Sequence, residues 1–218
     1  KFSPTMTQIQ VWACLPMLTL YPLALGMVSY QLAIKLAQHK RALRDLSRTD
    51  SLTGLLNHGA WKDLLHTHFM LCQQNHTRDI LALIDIDHFK TINDNYGHIV
   101  GDAVLRELSQ ALKGLLAEGE RVGRYGGDEF CLILPDQPLN KAEVQMERLR
   151  QALDQYRHPD VPELRVSLSI GLARFQPSYS DAVAWLDDAD KALYTAKHKG
   201  RNTISTALSR AVADNASA

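Results

Sequence analysis

Five consecutive apolar residues, Ile80-Leu81-Ala82-Leu83-Ile84, run straight into Asp85-Ile86-Asp87. A run this short cannot be a buried helix. It reads as a strand at the centre of a sheet, covered on both faces. The flanking sequence supplies the cover. Helical periodicity predicts helices over about 58–74, from Asp102 to Leu116 (Leu105, Leu108, Leu112 and Leu115 on one face), from Asn140 to Tyr156, and from Ser180 to Lys199. Arg121 to Pro135 reads as two strands around Gly126-Gly127, a dipeptide expected in a tight hairpin. Val166–Phe175 alternates as a strand, and Asn202–Thr206 is a short final one. Alternating strands and helices predict an α+β fold, an α/β sandwich of one sheet with helices packed on it, spanning residues 50–206. Residues 207–218 are small and polar and read as a flexible tail.

The front of the chain is of another kind. From Phe2 to Ile34 there is no Asp, Glu, Lys, Arg or His. A membrane-spanning helix needs about 20 mostly apolar residues, so residues 1–34 are predicted to hold a transmembrane helix, the last span of a larger membrane region. Lys35, Lys40, Arg41, Arg44 and Arg48 follow it, and positive charge beside a span marks the cytoplasmic side. Residues 35–49 carry Leu36, Leu43 and Leu46 at near-heptad spacing and read as a helical signalling linker. Lys+Arg and Asp+Glu are both 24, which argues against a protein held to nucleic acid by bulk charge. Cys14, Cys72 and Cys131 are too few and scattered for a disulfide framework or a zinc cluster and read as buried or free thiols in a reducing compartment.

Chemistry concentrates in two places. Alternation along a strand puts Asp85 and Asp87 on one face. Carboxylates at the end of a buried strand repel unless a cation or base lies between them, and magnesium favours carboxylate and phosphate oxygens. An isolated pair of this kind is more often a solvated turn. The second place is Arg124-Tyr125-Gly126-Gly127-Asp128-Glu129-Phe130. Its glycines remove bulk where a phosphate or another backbone approaches, and two acids follow at once. If hairpin and strand end are neighbours, the carboxylates converge around a divalent metal. Elsewhere the bland reading holds. His66 and His68 read as surface histidines, Trp61 and Trp185 as core anchors, and Leu193 and Tyr194 as core.

Gly126-Gly-Asp-Glu-Phe130 is also the signature of the GGDEF family, the diguanylate cyclases. The resemblance extends to Asp50-Ser-Leu-Thr-Gly-Leu-Leu-Asn57, to Asp85-Ile-Asp-His-Phe-Lys-Thr-Ile-Asn-Asp-Asn-Tyr-Gly-His98 with Gly101-Asp102, and to Asp190-Lys-Ala-Leu-Tyr-Thr-Ala-Lys-His-Lys-Gly-Arg-Asn202. Pro22 to Leu43 further resembles the last span and linker of enterobacterial membrane-bound diguanylate cyclases that control cellulose production, which implies the bacterial inner membrane. The resemblance implies a nucleotidyl-cyclase or polymerase-palm-like core, and an enzyme that condenses two GTP into cyclic di-GMP across a homodimer formed through the catalytic domain and linker. It implies two Mg²⁺ per site, with Mn²⁺ an alternative. Carried over, Asp85, Asp128, Glu129 and the Ile86 carbonyl are metal ligands, Glu129 also serving to activate the attacking hydroxyl. Asn93 and Asp102 read guanine. Lys90, Lys197 and Arg201 contact phosphates. His98, Gly126 and Gly127 border the substrate.

Two departures stand out. The family often carries an inhibitory product site, Arg-x-x-Asp, where this chain has Ala117-Glu118-Gly119-Glu120, so feedback inhibition through it is expected to be weak or absent. His58 stands where Arg usually follows Asn57, which puts a contact at the base of the linker in doubt. Two rival functions remain: a catalytically inactive receptor for GTP or cyclic di-GMP, and a mononucleotide cyclase.

Overall fold

The structure, a computed structural model, describes residues 23, 25–36, 48–117 and 119–207. It has two compact units, Lys1–Ser47 and Arg48–Ala218. In the first, residues 25–36 are helical with exposed side chains. Most of the predicted span and linker, the tail beyond Ala207, and Cys14 lie outside the described residues. Among those residues no helix is long and apolar enough to cross a membrane.

The second unit carries α1 (His58–Asn75), β1 (Ile80–Ile86), α2 (Phe89–Tyr96), α3 (His98–Leu115), β2 (Arg121–Arg124), β3 (Glu129–Leu134), α4 (Leu139–Gln155), β4 (Leu168–Arg174), α5 (Ala182–His198) and β5 (Ile204–Thr206). The strands form one sheet in the order β2-β3-β1-β4-β5. All neighbours are antiparallel except β4 and β5. β1 is central, as its unbroken apolar run predicts, and all seven of its residues are buried. Its pleat sorts the core into two layers. Ile80, Ala82, Ile84 and Ile86 pack with Leu105, Leu108 and Leu112 of α3 and with Met146 and Leu149 of α4. Leu81 and Leu83 join Trp61, Leu65 and Phe69 of α1 and Trp185, Ala189 and Leu193 of α5. The Asn57 side chain accepts from Ala60 N to start α1, and Asp181 does the same from Ala184 N to start α5, meeting the orphan donors of a helix N-terminus.

Most element boundaries fall within two residues of those predicted. The exception is α2, which the periodicity did not single out. It is short and polar, with only Phe89, Ile92 and Tyr96 apolar, and Gly97 at φ 82° separates it from α3, which starts four residues earlier than expected. Three side-chain assignments are corrected or sharpened. Tyr194 is not in the core: it is 63% exposed, its ring 4.1 Å from that of His198. His68 is no free surface histidine: its Nδ1 lies 3.0 Å from Asp79 Oδ2, and Asp79 is held below the ordinary carboxylate range by that bond and one from Asp136 N, against the opposing effect of burial. Trp61, Trp185, Cys72 and Cys131 are buried as expected.

Candidate active site

Antiparallel pairing decides what meets Asp85. Across β3 it faces Glu129, and across β4 it faces Ser169. The next residue, Ile86, donates its N–H to Asp128 O at 3.3 Å. The strand end and the signature hairpin are therefore neighbours, as the sequence required. Asp85 is only 7% exposed. Burial pushes its carboxyl up to about 6; the Lys197 ammonium opposes this, and the charges of Asp128 and Glu129 add to it. Lys197 Nζ donates to Asp85 Oδ2 at 2.7 Å, reaching in from the last turn of α5.

The hairpin is not the two-residue turn that its glycines suggested. Four residues, 125–128, connect β2 to β3, and neither Gly126 nor Gly127 has a positive φ. The glycines serve by what they lack. A Cβ on Gly126 would lie 2.7 Å from Glu129 Oε2, whereas one on Gly127, at the exposed tip, would meet nothing within 4 Å. Glu129 folds back over the turn, and the backbone of Gly127 is open to approach.

Two anchors hold the turn. Arg124 donates through Nη2 to Gly127 O at 2.6 Å and through Nη1 to both carboxylate oxygens of Asp50, at 3.2 and 3.4 Å. Burial opposes ionisation of Asp50, but hydrogen bonds from Thr53 and the Arg124 charge hold its pKa below the usual range. His58 donates from Nδ1 to Tyr125 O at 2.7 Å, with the rings 4.7 Å apart. The residue that departed from the family pattern thus makes its own contact, to the hairpin. Sequence reasoning missed both anchors, although Asp50 opens a motif it had noticed and His58 directly follows it.

Asp87 parts company with Asp85. Its carboxylate accepts from Ser167 Oγ at 2.7 Å, Ser169 Oγ at 2.6 Å and Asn202 N at 3.0 Å. A buried carboxylate so satisfied is a structural post. What it holds is the turn after α5, where Arg201 and Asn202 have φ of 64° and 46°, a conformation side-chain-bearing residues seldom adopt. Arg150 Nη1 donates to Asn202 Oδ1 at 2.7 Å from the other side. Asp87 therefore places Arg201.

The two residues expected to read guanine sit where α2 meets α3. Asn93 and Asp102 are both partly buried. A Cβ on Gly101 would fall 2.0 Å from Asn93 Oδ1, so the Asn93 amide lies directly on the backbone of the residue before Asp102. Lys90 on α2, His98 at the start of α3, and Arg201 are exposed, and none forms an ion pair among the described residues. Asp85, Asp128 and Glu129 offer hard oxygen donors of the kind magnesium and manganese accept. Among the described residues, no three His, Cys, Asp or Glu side chains are already gathered at ligand spacing. The raised Asp85 carboxyl, between two more carboxylates and one ammonium, is nonetheless a place where an added cation relieves repulsion.

At the position of the inhibitory motif, Glu120 is buried and its Oε2 accepts from Ala117 N and Gln145 Nε2, both at 2.8 Å. The acid closes its own turn and is not free for a ligand.

Comparison with known proteins bears on the family. The family described as "Diguanylate cyclase, GGDEF domain" matches residues 47–203. A probable diguanylate cyclase of Escherichia coli K12, DgcC, is 41% identical over 199 residues, covering 91% of this chain and 54% of that protein. Diguanylate cyclase DgcP of the same organism is 36% identical over 174 residues, covering 78% and 50%. The chain thus spans about half the length of these relatives. Among solved structures, the GGDEF domain of DgcB from Caulobacter crescentus, in complex with c-di-GMP, superposes with a TM-score of 0.71 at 32% identity, over 75% of this chain and 97% of that one. With the strand-end aspartate joined to the hairpin acids and the family match running from residue 47 to 203, through four of the five strands, this chain belongs to the GGDEF-domain family of diguanylate cyclases.

Proposed function

We propose that the Arg48–Ala218 unit condenses two GTP into cyclic di-GMP and releases two pyrophosphates. Each 3′-hydroxyl attacks the α-phosphorus of the GTP held by the opposite protomer of a homodimer. The observation that carries this reading is the register that sets Asp85 against Glu129 and ties Ile86 to Asp128. Asn93 and Asp102 recognise the guanine edge: a carboxylate accepts the N1–H and N2–H donors, and an amide donates to O6. Adenine would leave both side chains unpaired, and such mismatches give large discrimination. Gly126 and Gly127 admit the phosphates to the hairpin backbone, with His98 at the border of the pocket.

Asp85, Asp128, Glu129 and the Ile86 carbonyl would hold Mg²⁺, two ions per site with Mn²⁺ as a substitute, which would lower the pKa of the attacking hydroxyl and shield the leaving pyrophosphate. The protein's own part is positioning and charge. Lys197, which neutralises Asp85 through the bond from Nζ to Oδ2, would supply positive charge to the phosphates. Lys90 and Arg201 meet the negative charge that grows in the transition state. Glu129 orients the hydroxyl. The apolar N-terminal segment would anchor the chain in the bacterial inner membrane, the catalytic unit in the cytoplasm, and the linker would set how often two sites meet.

Incubating the purified chain with GTP and Mg²⁺ and separating the products tests the reading. Cyclic di-GMP is expected. No product would mean a receptor, and 3′,5′-cyclic GMP a mononucleotide cyclase. Asp128→Ala is expected to abolish turnover; an active variant would reassign the metal site.

A further inference from the structure

At the opposite end of the sheet from the hairpin, a cavity of about 580 Å³ is lined by Arg78, Arg174, Gln176 and Ser178, with apolar walls that include Leu139. Its place follows from the register. Arg174 pairs with Ile80, five positions along the ladder from the Asp85–Ser169 pair. At about 3.4 Å per residue that is roughly 17 Å from the candidate active site. Two arginines line this cavity and no acidic residue does. Among the described residues neither guanidinium takes part in an ion pair. Arg174 Nε is buried and has no hydrogen-bond partner. The acids on flanking elements have other partners than the two guanidinium groups: Asp79 meets His68 and Asp136 N, Asp136 Oδ1 accepts from the backbone N–H of Arg78 at 3.4 Å, and Glu143 accepts from Thr206 Oγ1 at 3.0 Å.

A buried guanidinium donor without an acceptor is costly, and native proteins seldom keep one without a ligand or a role. Guanidinium groups present planar forks that match the oxygens of phosphate. The volume is within the range of small-molecule sites. We propose that this cavity is a second ligand site, distinct from the catalytic hairpin, which binds a phosphate-bearing small molecule through Arg78 and Arg174 while Gln176 and Ser178 supply neutral hydrogen bonds. The inference rests on these residues alone and stands whether or not the chain makes cyclic di-GMP.

Equilibrium dialysis of the full chain in detergent against radiolabelled inorganic phosphate, in EDTA and at constant chloride, tests it. Because Lys197 and Arg201 offer a competing phosphate site, the titration is repeated in Lys197→Gln. Saturable binding is expected in both proteins, weakened tenfold or more by Arg174→Gln and by Arg78→Gln. Arg78 is exposed, so Arg78→Gln decides the matter if Arg174→Gln does not fold. Absence of saturable binding, binding abolished by extra chloride, or full binding in Arg78→Gln would overturn the proposal. Excess GTP added to the Lys197→Gln protein then identifies the source of the phosphate: displacement means a nucleotide, and no displacement means the free oxyanion.

Discussion

Gly101→Ala offers a sharp test because its effects on stability and on binding differ. Gly101 lies inside α3, where alanine is favoured over glycine by about 1 kcal/mol. The new Cβ would sit 2.0 Å from Asn93 Oδ1, whereas real Cβ contacts essentially never fall under 3.0 Å. The Asn93 amide must therefore move by about 1 Å or more, or change rotamer, at a cost of roughly 0.5–1.5 kcal/mol. Those two contributions nearly cancel, so stability in urea should stay within ~1 kcal/mol of wild type. GTP recognition should not survive so well. If Asn93 reads guanine as proposed, a displaced amide loses that hydrogen bond and leaves a polar group unmatched, about 1–3 kcal/mol, or roughly 5- to 150-fold in affinity. GTP binding by equilibrium dialysis, alongside urea unfolding, measures both. Since the substitution acts through Asn93, the double variant Gly101→Ala/Asn93→Ala should bind GTP as Asn93→Ala does. Undiminished GTP affinity in Gly101→Ala would refute the assignment of Asn93 as a guanine reader.

Three further outcomes are expected. Asp85 has an ordinary pKa of 3.8 when unfolded and about 6 when folded, so the native state binds the extra proton. Its contribution to stability is full below pH 3.8 and is lost as pH rises to about 6, a span worth roughly 3 kcal/mol at 1.36 kcal/mol per pH unit. In EDTA, Asp85→Asn should flatten this slope, and identical pH profiles for the two proteins would show the carboxyl to be ordinary. Asp87→Ala strands Ser169 Oγ and Asn202 N, so urea denaturation should register a loss of about 3 kcal/mol or more; a loss under ~1 kcal/mol would remove Asp87 as the post for the Arg201 turn. Because Ala117 offers no charge and Glu120 is spent on its own turn, cyclic di-GMP titration should show weak inhibition or none, and submicromolar non-competitive inhibition would contradict this.

The sequence alone determined the elements, the central strand and the two acidic motifs, because those properties are local. An unbroken apolar run, a 3.6-residue period and a glycine pair each report burial and turns within a dozen residues. It missed α2, whose three apolar positions are too few to stand out. Only the tertiary structure separated the surroundings of two aspartates that lie two residues apart. Asp85 gained Lys197 from 112 residues away, while Asp87 gained two serines and a backbone N–H. Tertiary contacts likewise turned His58 into a hairpin anchor and brought Arg78 and Arg174 to one cavity. Periodicity states that a side chain is buried; the strand register and the docking of α5 state against what, and the partner sets the charge.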